Sequence, residues 1–168
     1  MSIKNFLDQI QTTYNPEGLS LINRFFLVFA RFEGSLKHSG FITNGAYVQP
    51  NWNGFEKEIR EKFDPNIDAA LKEAVNFLLT NPPRIQTIDD SKLAWRDRTW
   101  PQGTPEINIL GQSLRDIRNN LFHGSKFEEN FEPEISRNFV LINSALTVLD
   151  AWLEILPFVK EKFLSPLN

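Results

Sequence analysis

At 168 residues, with no cysteine and a net charge of −3, the sequence predicts a single domain, 1–168, able to bury a core without disulfide staples. The lack of cysteine excludes disulfides and thiolate metal sites, and the acidic balance argues against nucleic-acid binding driven by overall charge, while leaving room for a local basic pocket. No uninterrupted apolar run of about 18 residues occurs and the first residues lack a signal-peptide pattern, so the expectation is a cytoplasmic protein with no membrane association.

The pattern along the chain is almost wholly helical, an all-α expectation, and fifteen Phe with four Trp predict an aromatic-heavy core. Residues 2–13 read as a first short helix capped by Ser2. Asn15-Pro16-Glu17 is a helix start, and that helix runs to about His38 and stops at Gly40. Its apolar set includes Leu19, Ile22, Phe26, Phe29 and Leu36. Residues 39–51 form a Gly/Asn/Pro loop, followed by a helix over about 53–63. Asp64-Pro65 starts the next helix, which ends near Asn81 before Pro82-Pro83. Residues 82–104 carry no clean period and read as one long loop.

Thr104-Pro105 opens a helix in which Ile107, Leu110, Leu114, Ile117 and Leu121 form a bundle seam. Pro133 opens the last long helix, apolar on two sides and therefore either central in the bundle or shared with a partner. One stripe is Ile135, Phe139, Ile142, Leu146, Leu149, Leu153 and Leu156; the other is Leu141, Ala145, Val148, Trp152 and Ile155. Pro157 kinks this helix or separates a short terminal one.

The C-terminal end of the 105–123 helix holds Arg118-Asn119-Asn120-Leu121-Phe122-His123, closed by Gly124. At 100° per residue Arg118 falls at the edge of the seam, with Arg115, Phe122, Asn119 and His123 fanning away from it. Asn119 and His123 are i,i+4 neighbours, so the carboxamide can orient the imidazole. Arg118 offers a planar donor fork for phosphate oxygens, and His123 an imidazole suited to proton transfer near neutrality. Cleavage of RNA without a metal needs an acid and a base, and the chain has two histidines, His38 and His123. A twofold dimer facing His123 with its copy would supply both, and Gly111, on the Arg118 side, would permit close helix approach. The same His-Gly pair is also what an ordinary helix C-terminus contains.

The R-N-x-x-x-H arrangement resembles the signature of the HEPN superfamily. Arg31-Phe32-Glu33-Gly34-Ser35-Leu36-Lys37-His38-Ser39-Gly40-Phe41, Asn51-Trp52-Asn53-Gly54-Phe55 and the Gly124-Ser125-Lys126-Phe127 continuation extend the likeness to compact stand-alone bacterial HEPN proteins over about residues 20–155. Gly-Ser-Lys stands where relatives carry Gly-Gly-Lys. The resemblance implies a HEPN-like antiparallel helical bundle with additional short helices and one long loop. It implies a homodimeric endoribonuclease with a composite site at the interface, needing no metal or cofactor, acting in a toxin or phage-defence setting and either restrained by a partner such as an antitoxin protein or triggered by stress or phage. Arg118, Asn119 and His123 would be catalytic.

Glu33 and Lys37 fall on the core-facing stripe of the second helix, a costly place for charge. Either they are an ordinary i,i+4 pair, or Glu33 holds Arg118 and Lys37 faces the scissile phosphate. Arg115 and Lys126 flank the motif as candidate phosphate contacts, whereas His38 reads as a helix-end residue. In 82–104, Arg84, Trp95, Arg96, Arg98 and Trp100 would stack and grip single-stranded RNA or, the favoured reading, form a flap with arginines paired to Asp89, Asp90 and Asp97. A silent RNA- or nucleotide-binding module and a helical interaction module are the alternatives to an enzyme. No phosphate loop or zinc constellation is present.

Overall fold

Side-chain caps at Asn15, Asn51 and Asp68 set three of the helix starts in the computed structural model, which describes residues 3–13, 15–122 and 135–166. The chain enters helix α1 (Ile3–Thr13) and then α2 (Pro16–His38). Asn15 caps α2 as expected, its side chain accepting from the Gly18 amide at 2.8 Å ahead of Pro16. The helix ends where the sequence stops it, with Gly40 at φ +88°. The following loop is pinched by an antiparallel bridge between Ile42 and Pro50 and delivers Asn51, which caps α3 (Trp52–Ile59). Ser2 and Pro133, expected to open two of the helices, lie outside the described residues.

Helix α4 (Ala69–Thr80) starts later than Asp64-Pro65 implied. The Asp64 carboxylate instead accepts from the Asn66 amide at 2.9 Å, closing a local turn, and those hydrogen bonds hold its carboxyl below the usual carboxylate range. The cap is Asp68, which accepts from the Leu71 amide at 2.8 Å. Two cap-like aspartates in succession left the sequence ambiguous, and the proline lies in the turn between them.

The fold is mostly helical, roughly the all-α reading, but the expected loop over 82–104 contains a β-hairpin, a small two-stranded sheet. Strands β1 (Ile85–Asp89) and β2 (Lys92–Arg96) pair antiparallel, with Ile85 opposite Arg96 and Asp89 opposite Lys92. Asp90 and Ser91 form the connection at φ 44° and 62°, the left-handed conformations a two-residue hairpin loop requires. The chain then runs into α5 (Glu106–Phe122), α6 (Ile135–Ile155) and α7 (Pro157–Leu164), with Pro157 separating the last two.

Every residue of the expected α5 seam is buried: Ile107, Leu110, Leu114, Ile117 and Leu121. On α2 the buried line is Ile22, Phe25, Phe29, Phe32 and Leu36, with Leu19 and Phe26 half-buried beside it. That line runs at spacings of 3 and 4, so the helix is turned slightly from the stripe read off the sequence. Helix α6 packs against α4, α2, α7 and α5, which explains its two apolar sides as those of a central helix. By length and composition Arg137–Ile155 is apolar enough to cross a membrane, and half of it is buried inside the bundle. Arg31 ties the C-terminal segment to α2, its Nε donating to the Phe163 carbonyl at 2.9 Å and its Nη2 to the Ser165 hydroxyl at 2.9 Å.

The reassigned start of α4 is directly testable. Asp68→Ala is expected to lower the unfolding free energy by about 1 kcal/mol, while Asp64→Ala, on an exposed turn, leaves it nearly unchanged. Chemical denaturation of both variants checks the assignment, and the reverse order would place the helix start at Asp64.

Candidate functional site

Helix α5 carries its apolar seam into the bundle and leaves two polar flanks, one against α2 and α3 and one against the hairpin. Arg118 sits at the seam's edge on the first flank. Its Nη2 lies 3.7 Å from Glu33 Oε1 of α2, and its Cζ stands 5.6 Å from the centroid of the Phe29 ring. A separation of 3.7 Å is an electrostatic contact beyond hydrogen-bond reach. The Nε–H is buried and makes no hydrogen bond among the described residues. The guanidinium is thus oriented by a carboxylate and a ring face while its Nε–H remains unspent among the described residues, a state suited to receiving an anion.

Glu33 is itself fixed. Its Oε1 accepts from Trp52 Nε1 of α3 at 3.0 Å, and its side chain retains 21% of its exposure against 33% for Arg118. Lys37, one turn further along α2, is half-buried, and its side chain makes no hydrogen bond or ion pair among the described residues. It is not paired with Glu33. His38 is exposed at the end of α2, as its position in the sequence implied.

One turn before Arg118, Arg115 lies over the Trp52 ring at 5.0 Å and donates from Nη1 to Glu56 Oε1 of α3 at 2.8 Å. Its Nη2 donates to Gln112 Oε1 at 3.0 Å. Arg115, a candidate phosphate contact in the sequence, spends both Nη donors on these protein groups. Glu56 is buried and also accepts from Asn108 Nδ2, whose carbonyl oxygen accepts from Arg60 at 3.0 Å. Burial pushes the Glu56 carboxyl above its ordinary range, and Arg115 and Asn108 pull it back. Gly111 makes the approach possible, because a Cβ there would stand 2.0 Å from Glu56 Oε1. The close approach anticipated at Gly111 therefore occurs within the chain, between α3 and α5.

The opposite flank anchors the hairpin segment. Arg98 forks onto Asp116, with Nη2 to Oδ1 at 2.8 Å and Nε to Oδ2, and Gln112 donates to the same carboxylate at 2.9 Å. Asn120 Nδ2 donates to the Arg84 carbonyl at 2.8 Å. Arg84 pairs with Asp97 at 3.2 Å, one of the flap pairings expected, while Arg98 reaches Asp116, which was not among them. Asn119 is half-buried on the helix face between the two flanks. His123 and Lys126 lie outside the described residues.

The structure thus brings Glu33 and Arg118 together and adds three residues that sequence reasoning did not assign: Trp52 on Glu33, Glu56 on Arg115, and Asp116 on the opposite flank. Glu56 had one readable signal. It sits at i+4 from Trp52 and next to Phe55, hence on the apolar side of α3, where a carboxylate needs a partner. Among the described residues no group of three or more His, Cys, Asp or Glu is placed to hold a metal ion. Compared with models of known protein families, with curated proteins and with solved structures, the chain finds no match.

Removing one member of a buried ion pair leaves the other uncompensated, so Arg115→Ala is expected to destabilise the protein by about 3–5 kcal/mol. Chemical denaturation checks it; an unchanged stability with weaker RNA binding would restore Arg115 to the phosphate. The pH dependence has a definite sign. With its folded-state pKa raised above 4.5, Glu56 favours the fold when protonated, and that contribution is lost as pH rises through the folded-state value. Glu56→Gln cannot ionise, so its unfolding free energy should rise relative to wild type across that window. Parallel stability curves for the two proteins between about pH 4 and about pH 8 would refute this.

Proposed function

We propose that the chain is a metal-independent HEPN-type endoribonuclease, working as a homodimer whose composite site faces two copies of the α5 C-terminal motif across the twofold axis. The observation that carries this reading is the state of Arg118: held at the seam edge by Glu33 and the Phe29 ring, with a buried Nε–H that has no partner among the described residues. A surface arginine serving solubility needs neither support. The arginine belongs to the motif helix, in sequence five residues before His123 and one before Asn119.

In this reaction the 2′-oxygen attacks the adjacent phosphorus, the bond from phosphorus to the 5′-oxygen breaks, and the products are a 2′,3′-cyclic phosphate and a 5′-hydroxyl. One His123 takes the proton from the 2′-hydroxyl, and the partner's His123 returns a proton to the leaving 5′-oxygen. Arg118 holds the phosphoryl oxygens as negative charge builds on the phosphorane, with donors aimed before the reaction begins. Asn119 orients the imidazole, Glu33 orients Arg118, and Lys37 and Lys126 supply further positive charge toward the backbone. The acidic net charge of −3 makes substrate capture depend on this local cluster. A toxin or defence role, with an antitoxin protein as restraint, follows from the family resemblance.

The test is incubation of purified protein with mixed-sequence RNA in EDTA. Wild type is expected to produce cyclic-phosphate ends, and Arg118→Ala and His123→Ala to lose roughly a hundredfold or more of the rate. Equal cleavage by all three proteins would sink the assignment. Binding of RNA without turnover, unaffected by His123→Ala, would instead identify a silent RNA-binding module.

A further inference from the structure

Trp52 lies where three helices meet, and its contacts exceed what packing requires. As the first residue of α3 it is set by the Asn51 cap, whose side chain accepts from the Gly54 amide at 3.0 Å. Its ring stacks on Phe29 at 5.6 Å and on Phe32 at 5.7 Å, both of α2, and carries the Arg115 guanidinium of α5. Three neighbours therefore fix the plane of the indole, and that plane aims Nε1–H at Glu33 Oε1, 3.0 Å away. The same carboxylate oxygen faces Arg118.

We propose that Trp52 is a positioning residue for Arg118: its indole N–H fixes the Glu33 carboxylate, and that carboxylate sets the guanidinium over the Phe29 ring. A carboxylate on a flexible stem has several rotamers, and one near a helix end with no other hydrogen bond would sample them. The indole donor removes that freedom. Phe29 closes the arrangement, since it touches both the Trp52 ring and the Arg118 guanidinium. Glu56 enters one step further back, through its ion pair with the arginine that covers the Trp52 ring.

The proposal rests on Arg118 being the phosphate clamp of the ribonuclease, and Trp52→Phe separates the donor from the packing. It keeps an aromatic ring between Phe29 and Phe32 and removes only the N–H and part of the ring volume. Phe55→Leu loosens the same aromatic cluster with the indole donor intact and serves as the control for packing loss. At saturating RNA, Trp52→Phe and Glu33→Gln are each expected to lower kcat by roughly tenfold with KM little changed. Their double variant should be no slower than the slower single one, because both cut the same relay. Trp52→Phe cleaving as fast as Phe55→Leu, or multiplying effects in the double variant, would overturn the relay.

An RNA-free readout keeps this distinct from failure of the ribonuclease reading. The Arg118 Nε–H resonance should move in Trp52→Phe and in Glu33→Gln but stay in place in Phe55→Leu. If it is unmoved by Trp52→Phe, the relay is wrong whatever the enzyme does. If it moves while Arg118→Ala cleaves RNA like wild type, the relay stands and the assignment of Arg118 to catalysis falls.

Discussion

Glu56 places a carboxylate where water does not reach, and much of the surrounding geometry follows from giving it partners. Desolvating a carboxylate costs several kcal/mol, so α3 can dock only where Arg115 and Asn108 of α5 meet the charge. Gly111 supplies the space, and the docking brings the Arg115 guanidinium over the Trp52 ring. Trp52 then orders Phe29 and Phe32 of α2 by stacking on both. A buried pair of this kind adds little to stability compared with apolar packing, but it admits few registers of one helix on another. The register of α3 on α5 is what decides where Glu33 finds its donor.

The two flanks of α5 are held by different chemistry. Toward α2 and α3 the supports are a buried carboxylate and aromatic faces; toward the hairpin they are the Arg98–Asp116 fork and the Asn120 carboxamide on a backbone carbonyl. Between them lies the strip of α5 that carries Asn119. A helix fixed on both flanks has little freedom to rotate about its axis, and rotation is the motion that would most disturb a side-chain constellation read along one turn. The hairpin's exposed face presents Ile88 and Leu93, 74% and 63% exposed and opposite one another in register, so this element is secured by polar anchors more than by apolar burial.

How much of this was legible in the sequence varies with the physical signal. The α5 seam has five apolar residues at strict helical spacing, and all five are buried, because burial of one stripe is what selects such spacing. Asn15-Pro16 was legible because cap and proline coincide, whereas Asp64-Pro65 misled because a second cap stood four residues on. The hairpin was missed for two reasons. Its loop is Asp90-Ser91, without the glycine or asparagine that ordinarily announces positive φ, and its apolar residues Ile88 and Leu93 point to solvent. At the candidate site, charge on the core-facing stripe of α2 left two readings open, and the structure shows Glu33 beside Arg118. The capture of Arg115 by Glu56 was not legible, since it depends on which helix docks against which, and that information lies in the tertiary contacts.

The bond from Arg31 to Ser165 spans 134 positions, and with it α2 is covered largely by α6 and α7, which are made long after it. The Phe25, Phe29 and Phe32 face of α2 is therefore synthesised early and has only the partial cover of Trp52 and Phe55 until α6 and α7 have emerged. At ordinary elongation speeds that is an interval on the order of ten seconds, long compared with the time a helix needs to form. An aromatic ridge waiting that long is a natural substrate for chaperones that bind nascent chains. The bundle that holds the Glu33–Arg118 contact therefore closes only once α6 and α7 have been made.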